Sequence, residues 1–361
     1  MNKLLKSPGM NKAFASLLTI GISLVISLII FFIMSPLDAL YEFGVLITGG
    51  LTYFGLVGFF DILAEAAPLI CCGLAILFAF KTGLFNIGAA GQYVIGSFAA
   101  LMFTLHFGCN WFVALLMSIV FGAIWGLLPA LLKAYCKVSE VISGIMLNWI
   151  ALFFVNHSFQ TYLSDCVNGT QAKTYEITGI YKLPDLGLSK YFGNNFTIAI
   201  FIALLMVIII WVILEKTTLG YQIKASGLNS HATRYAGIND KANLLITMAI
   251  SGALAGLGGA LFHLAGLEQW QIQSSSALPG MPWNGIVVAF IAQLSPIAAI
   301  FVSIFISFIA QGSVAMSQSI FPVEFGDLIT GIIVYLSGLT SIIMMIVTSK
   351  LKKKEKAKGA E

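Results

Sequence analysis

Asn86 and Gln92 lie in the glycine-studded run Gly83-Leu-Phe-Asn-Ile-Gly-Ala-Ala-Gly-Gln92, and Asn148 and Trp149 lie in Val138-Ser-Glu-Val-Ile-Ser-Gly-Ile-Met-Leu-Asn-Trp-Ile150. Trp283 and Asn284 repeat the pairing of amide and indole further on, after the polar stretch Glu268-Gln-Trp-Gln-Ile-Gln273. Amides donate and accept hydrogen bonds, and an indole offers a broad apolar face with one N–H. Such groups recognise a polar, partly aromatic solute without making or breaking a covalent bond. The same groups also serve as hydrogen-bonding glue between helices. Both uses stay open for Asn86, Gln92, Asn148, Trp149, Trp283 and Asn284.

Residues that would carry covalent or metal chemistry are not grouped along the chain. Cys71, Cys72, Cys109, Cys136 and Cys166 show no CxxC pairing, and His106, His157, His231 and His263 are scattered, so they read as buried small hydrophobes and isolated imidazoles. No GxxxxGK[ST] phosphate loop occurs. The expectation is a non-enzyme with no cofactor and no metal, whose energy, if it comes from a nucleotide, is released by a partner.

The elements that position these groups must be membrane helices. Hydrophobic residues make up 59% of the chain and charged residues 9%, with a mean hydropathy of +0.95, leaving too few charges to coat a soluble body. Apolar windows long enough for a hydrocarbon core of about 30 Å fall near 13–34, 62–80, 85–105, 111–132, 140–158, 196–214, 242–264, 296–314 and 328–348. A tenth, 276–294, is interrupted at its start by Pro279, Gly280, Pro282 and Asn284. The first run is too long for a signal-peptide core and is expected to be retained. The glycine-rich segment 35–61 is expected to lie at the outer interface or to re-enter the membrane. The fold class is therefore an all-α integral membrane protein of about ten transmembrane helices with discontinuous or re-entrant segments.

The lysines orient it. Ten crossings put sixteen basic residues inside, including the Lys-rich tail 349–361, against Lys173, Lys182 and Lys190 outside. Residues 1–12 and the tail are then cytoplasmic and flank a permease body at 13–348. The outer loop 159–195 is the natural docking surface for something arriving from outside. The net charge of +4 reflects orientation, and no feature calls for nucleic acid.

Glu215 to Lys241 is the largest polar interruption, and it holds Arg234, the single arginine of the chain. Leu219 to Tyr235 is predicted to form a short cytoplasmic helix broken at Gly227 and ending near Gly237, with Arg234 in its last turn where a cation suits the helix dipole. Gly252-xxx-Gly256 follows directly as a surface for close helix packing. Ser139 and Glu140 read as a helix start, Glu140 acting as a cap or an ion-pair partner. Asn148, two turns on, shares roughly one face with Glu140.

GLFNIGAAGQ, SEVISGIMLNWIA and KASGLNSHATRYAGI together resemble the ten-span permease subunits of bacterial ABC importers in the branched-chain amino acid and ribose permease superfamily, and most closely its nucleoside and simple-sugar branch. The resemblance covers about residues 62–348. It differs from the expected FNIG.EGQ at Ala90, so no role passes to that carboxylate. The resemblance implies a chain in the bacterial cytoplasmic membrane, among lipid, forming a nucleoside path with a second, paralogous permease. It also implies an extracytoplasmic substrate-binding lipoprotein and a cytosolic ABC ATPase. It maps a coupling helix onto Gly220, Lys224, Gly227, Asn229, Arg234 and Gly237. A ribose- or galactose-type importer and, from another class, an ion-driven secondary transporter are the competing readings.

Overall fold

The computed structural model describes residues 8–52, 54–185, 187, 193, 195–272, 277–316, 324–339, 345 and 349. They form helices α1 (Pro8–Met34), α2 (Ala39–Thr52), α3 (Gly55–Lys81), α4 (Ala89–Leu101), α5 (Trp111–Cys136), α6 (Glu140–Thr161), α7 (Ala199–Lys216), α8 (Thr218–Leu228), α9 (Ser230–Tyr235), α10 (Asp240–Leu264), α11 (Met281–Ile291), α12 (Pro296–Met316) and α13 (Glu324–Gly338). Among the described residues, seven helices are long and apolar enough to cross a membrane: α1, α3, α5, α6, α7, α10 and α12. Residues 1–7 and the tail beyond 349 lie outside the described residues.

Two of the ten apolar windows take a more broken form. Window 85–105 becomes α4 followed by a π-helical turn at Met102–His106, and residues 82–88 before it are not helical. Window 276–294 contains only α11, whose 11 residues rise about 16 Å, half of what a crossing needs. Of the last window the described residues include α13 to Gly338. Segment 35–61 holds α2 and the start of α3. Helix α2 packs against α12 with Leu46, Gly49 and Gly50 buried, and a side chain at Gly312 of α12 would overlap the Leu46 carbonyl.

Local chemistry sets the helix starts. Asn110, Thr217 and Asn239 accept N–H bonds from Val113, Gly220 and Ala242 at 3.1, 3.2 and 3.2 Å, capping α5, α8 and α10. Ser139 and Glu140 do begin α6, with Glu140 paired to Lys133 Nζ at 2.5 Å. The core is built on α3, α4 and α10, and every residue of α4 is buried. Hydrophobic burial does not drive helices together in lipid, so close contact depends on small side chains. Gly252 and Gly256 of α10 lie against Ser118, Gly122 and Gly126 of α5, and Gly256 also lies against Gly96 of α4. Of the cysteines, Cys71, Cys72 and Cys166 are buried, Cys109 is half-buried, Cys136 is exposed, and all five are free thiols.

Between α6 and α7 the chain makes an excursion that includes a short antiparallel pair, β1 (Val167–Asn168) with β2 (Lys173–Thr174), Val167 opposite Thr174. Lys173 bridges on to Gln271, so this excursion and the segment after α10 form one surface at the same end of the bundle.

Candidate functional site

The three sequence motifs converge on the non-helical turn before α4. Gly83 takes a φ of +75°, open to glycine at little cost, and lies against Gly227 of α8 with only 3.4 Å between its would-be side-chain carbon and Gly227 Cα. Gly88 faces Gly144 of α6, and Gly91 faces Asn148. Irregular backbone within a membrane bundle is tolerated when it is packed in protein, and these glycines allow that packing.

The amides then satisfy the turn. Asn86 Nδ2 donates to Gln92 Oε1 and to Ser251 Oγ, both at 2.7 Å, and Gln92 Nε2 donates back to Asn86 Oδ1 at 3.1 Å. Ser251 Oγ passes the chain on to the Ala75 carbonyl at 2.7 Å. Asn148 Oδ1 accepts the Gly91 N–H at 2.7 Å, and its Nδ2 donates to the Ile87 carbonyl at 3.0 Å. Gly88, the residue before α4, has no side chain with which to cap it. Asn148 supplies the missing acceptor from another helix. Asn148→Leu is expected to leave a buried N–H and a buried C=O unpaired, at about 1–3 kcal/mol, read as a lower melting temperature in detergent with ATPase association retained.

Trp149, Trp283 and Asn284 are not brought to this cluster. Trp149 is exposed on the outer face of α6, stacked on Phe153 with centroids 6.1 Å apart. Trp283 is exposed and Asn284 half-buried in the first turns of α11.

At the opposite end from β1 and β2, α8 and α9 form a bent pair whose break falls at Asn229, two residues beyond the glycine expected to carry it. Asn229 Oδ1 accepts from Ala232 N at 3.1 Å, a local bond that starts α9 and ends α8. Gly220 lets α8 fold back onto the end of α7, where a side chain would meet the Ile213 and Leu214 carbonyls. Lys224 pairs with Glu215 at 3.0 Å. Arg234 Nε donates to Asp240 Oδ2 at 2.5 Å, and Thr233 Oγ1 to Asp240 Oδ1 at 3.1 Å, fixing α9 to the first turn of α10. Gly237, at φ +79°, turns the chain between them. The charges of this segment are thus engaged internally, while Tyr221, Leu228 and Tyr235 are 71, 90 and 95% exposed.

A cavity of about 220 Å³ lies at the end bearing β1 and β2. Its walls include Tyr93, Asn156, His263, Glu268, Gln269 and Trp270. Trp270 Nε1 donates to Asn156 Oδ1 at 3.1 Å, and its backbone N–H to Thr174 Oγ1 at 3.1 Å. His263 Nδ1 donates to the Glu268 carbonyl at 2.8 Å, and its ring meets Trp270 edge-on, centroids 5.8 Å apart. Flat aromatic faces next to amide and carboxylate groups suit a ligand with a ring and several hydroxyls. The stretch 268–273 was legible as a polar, aromatic mouth, but Tyr93 and Asn156 were not legible as its partners. One signal was available: Asn156 follows Asn148 by the same two turns that separate Asn148 from Glu140.

Residues 58–338 match the family described as branched-chain amino acid transport system / permease component, and the chain belongs to that family of multi-pass plasma-membrane permease subunits. As a permease component it is not the ATP-hydrolysing subunit. It is similar to the guanosine ABC transporter permease protein NupP of Bacillus subtilis, 34% identical over 81% of this chain and 84% of that one. It is also similar to the nucleoside ABC transporter permease protein NupB of Lactococcus lactis, 33% identical over 78% and 79%. A second Bacillus subtilis protein, the guanosine ABC transporter permease protein NupQ, is 29% identical over 72% of this chain and 82% of its own. No solved structure matches the chain.

Proposed function

We propose that this chain is one of two paralogous permease subunits of an ATP-driven nucleoside importer in a bacterial cytoplasmic membrane. It would cross the membrane ten times with both termini and the α8–α9 pair inside. The observation that carries the solute is the cavity of Tyr93, Asn156, His263 and Trp270, with relatives named for guanosine and nucleoside transport. The base stacks on the aromatic side chains, and the ribose hydroxyls meet Glu268 and Gln269. NupP and NupQ, two permeases of one organism, support a paralogous partner. A substrate-binding lipoprotein docks over the described part of the outer loop, residues 159–185, and the neighbouring 265–272, beside the cavity.

In this reading the cytosolic ATPase seats on the exposed side chains of Tyr221, Leu228 and Tyr235. Gly220, Lys224, Asn229, Arg234 and Gly237 shape and hold the pair rather than meeting the partner. Gly227 passes the movement on, because it touches the turn whose far side begins α4, the helix that carries Tyr93. Asn86, Gln92 and Asn148 keep that turn rigid enough to transmit it. Trp149, Trp283 and Asn284 are left as lipid- or partner-facing positions.

The experiment is uptake of labelled guanosine by cells expressing the whole operon, competed with free ribose, combined with identification of what copurifies with the chain. Competition by nucleosides but not ribose, with an ATPase and a second permease in the purified complex, is the expected result. Full competition by ribose overturns the solute. Trp270→Ala is expected to raise the KM roughly tenfold or more, since base stacking contributes about 1–3 kcal/mol, while Trp270→Phe keeps most of it and neither variant releases the ATPase.

A further inference from the structure

Outside the cavity and the coupling pair, the structure brings His106 to the adjacent Asp165 and Cys166, 59 residues further on, so that three side chains able to ligate a metal meet. His106 ends the π-helical turn after α4, and Asp165 and Cys166 sit in a 3-10 turn of the excursion between α6 and α7. His106 Nδ1 and Asp165 Oδ2 are 2.8 Å apart, Cys166 Sγ is 3.8 Å from Asp165 Oδ1, and one ligand atom from each residue lies within 4.8 Å of the others. We propose that His106, Asp165 and Cys166 bind a divalent transition metal of the zinc type, which clamps the end of α4 to this excursion.

The donor set is an imidazole nitrogen, a carboxylate oxygen and a thiolate sulfur, the mixture that zinc takes at about 2.0–2.3 Å. Ligands around one such ion stand roughly 3.5 Å apart, so closing the trio takes a small rotation of His106 and Asp165. Both are exposed and able to make it, with 36 and 57% of their side chains accessible. Binding displaces the thiol proton of Cys166 to solvent. Glu176 lines a cavity of about 340 Å³ together with His106, and either its carboxylate or a water fills the fourth position.

The clamp has a mechanical consequence. The Cys166 carbonyl accepts the Tyr175 N–H at 2.9 Å, and the adjoining Thr174 is bonded through both its backbone N–H and its hydroxyl to Trp270. A metal at Cys166 therefore stiffens the strand that holds one wall of the cavity. Metal binding stands independently of what that cavity carries, whereas any effect on uptake rests on the nucleoside reading.

The test uses the full chain, purified in detergent without a histidine tag and stripped with EDTA, titrated with Zn²⁺ by calorimetry and with Co²⁺ by absorption. One equivalent per chain and a thiolate-to-cobalt charge-transfer band are expected. Cys166→Ser is expected to lose that band, and His106→Ala to weaken Zn²⁺ binding by more than about 100-fold, beyond the 10- to 100-fold typical of a residue behind the ligands. Cys136→Ser, altered at the opposite end of the bundle, keeps both. Asp165→Asn, nearly isosteric, guards against a folding failure and is expected to weaken binding with an unchanged metal-free melting temperature. Absence of stoichiometric binding in the unaltered chain, or its survival in both Cys166→Ser and His106→Ala, overturns the proposal.

Discussion

Gly227→Leu is expected to reduce nucleoside import to background while the chain still inserts and is recovered from the membrane at normal yield. A side-chain carbon at Gly227 would overlap the Lys81 carbonyl oxygen and stand 3.1 Å from the Gly83 nitrogen. Both obstacles are backbone, so no rotamer change relieves the contact, and α8 must lift away from the turn before α4. Tyr221, Leu228 and Tyr235 are then still available to the ATPase, but their movement no longer reaches Tyr93. The measurement is initial uptake beside ATPase association for the same preparation. Gly44→Ala, at a position with no heavy atom within 4 Å of the added carbon, is the neutral control. Import at the normal rate in Gly227→Leu would show that force does not pass through this contact.

The second large effect is on assembly itself. Gly256→Val places its side chain 2.6 Å from the Ser118 carbonyl oxygen and 3.0 Å from Gly122 Cα, and the same stretch of α10 has Gly96 pressed against it from α4. Ordinary overpacking costs about 1–3 kcal/mol, and here three helices would have to separate along backbone contacts. A folded chain holds a net margin of only about 5–15 kcal/mol. The expected result is aggregated or degraded protein, with Gly256→Ala intermediate. Size-exclusion profiles and thermal unfolding in detergent check it, and a monodisperse Gly256→Val with unaltered melting would remove α10 from the centre of the core.

Most of the long helices were legible because a run of about 20 apolar residues has one stable outcome in lipid. The glycines at 83, 88 and 91 with flanking amides marked the join before α4, although the apolar window was placed from residue 85 and the structure keeps residues 82–88 out of helix. What remained hidden was which segments meet. Nothing in linear spacing shows that Gly83 lies on Gly227, or that Asn148 caps a helix 57 residues before it. Nor does linear spacing show that Arg234 pairs with Asp240, six residues on, beside the exposed Tyr221, Leu228 and Tyr235. The short α11 was obscured because hydropathy measures whether a segment tolerates lipid, not how far it travels through it.

The central claim is that this chain forms the path and an ATPase partner powers it. Its most direct test is labelled nucleoside uptake into liposomes holding either the complete complex or this chain alone, with ATP supplied on the ATPase side or withheld. The account predicts uptake only by the complete complex with ATP, insensitive to ionophores. Uptake by this chain alone in ATP-free liposomes, collapsing when an ion gradient is dissipated, would contradict it.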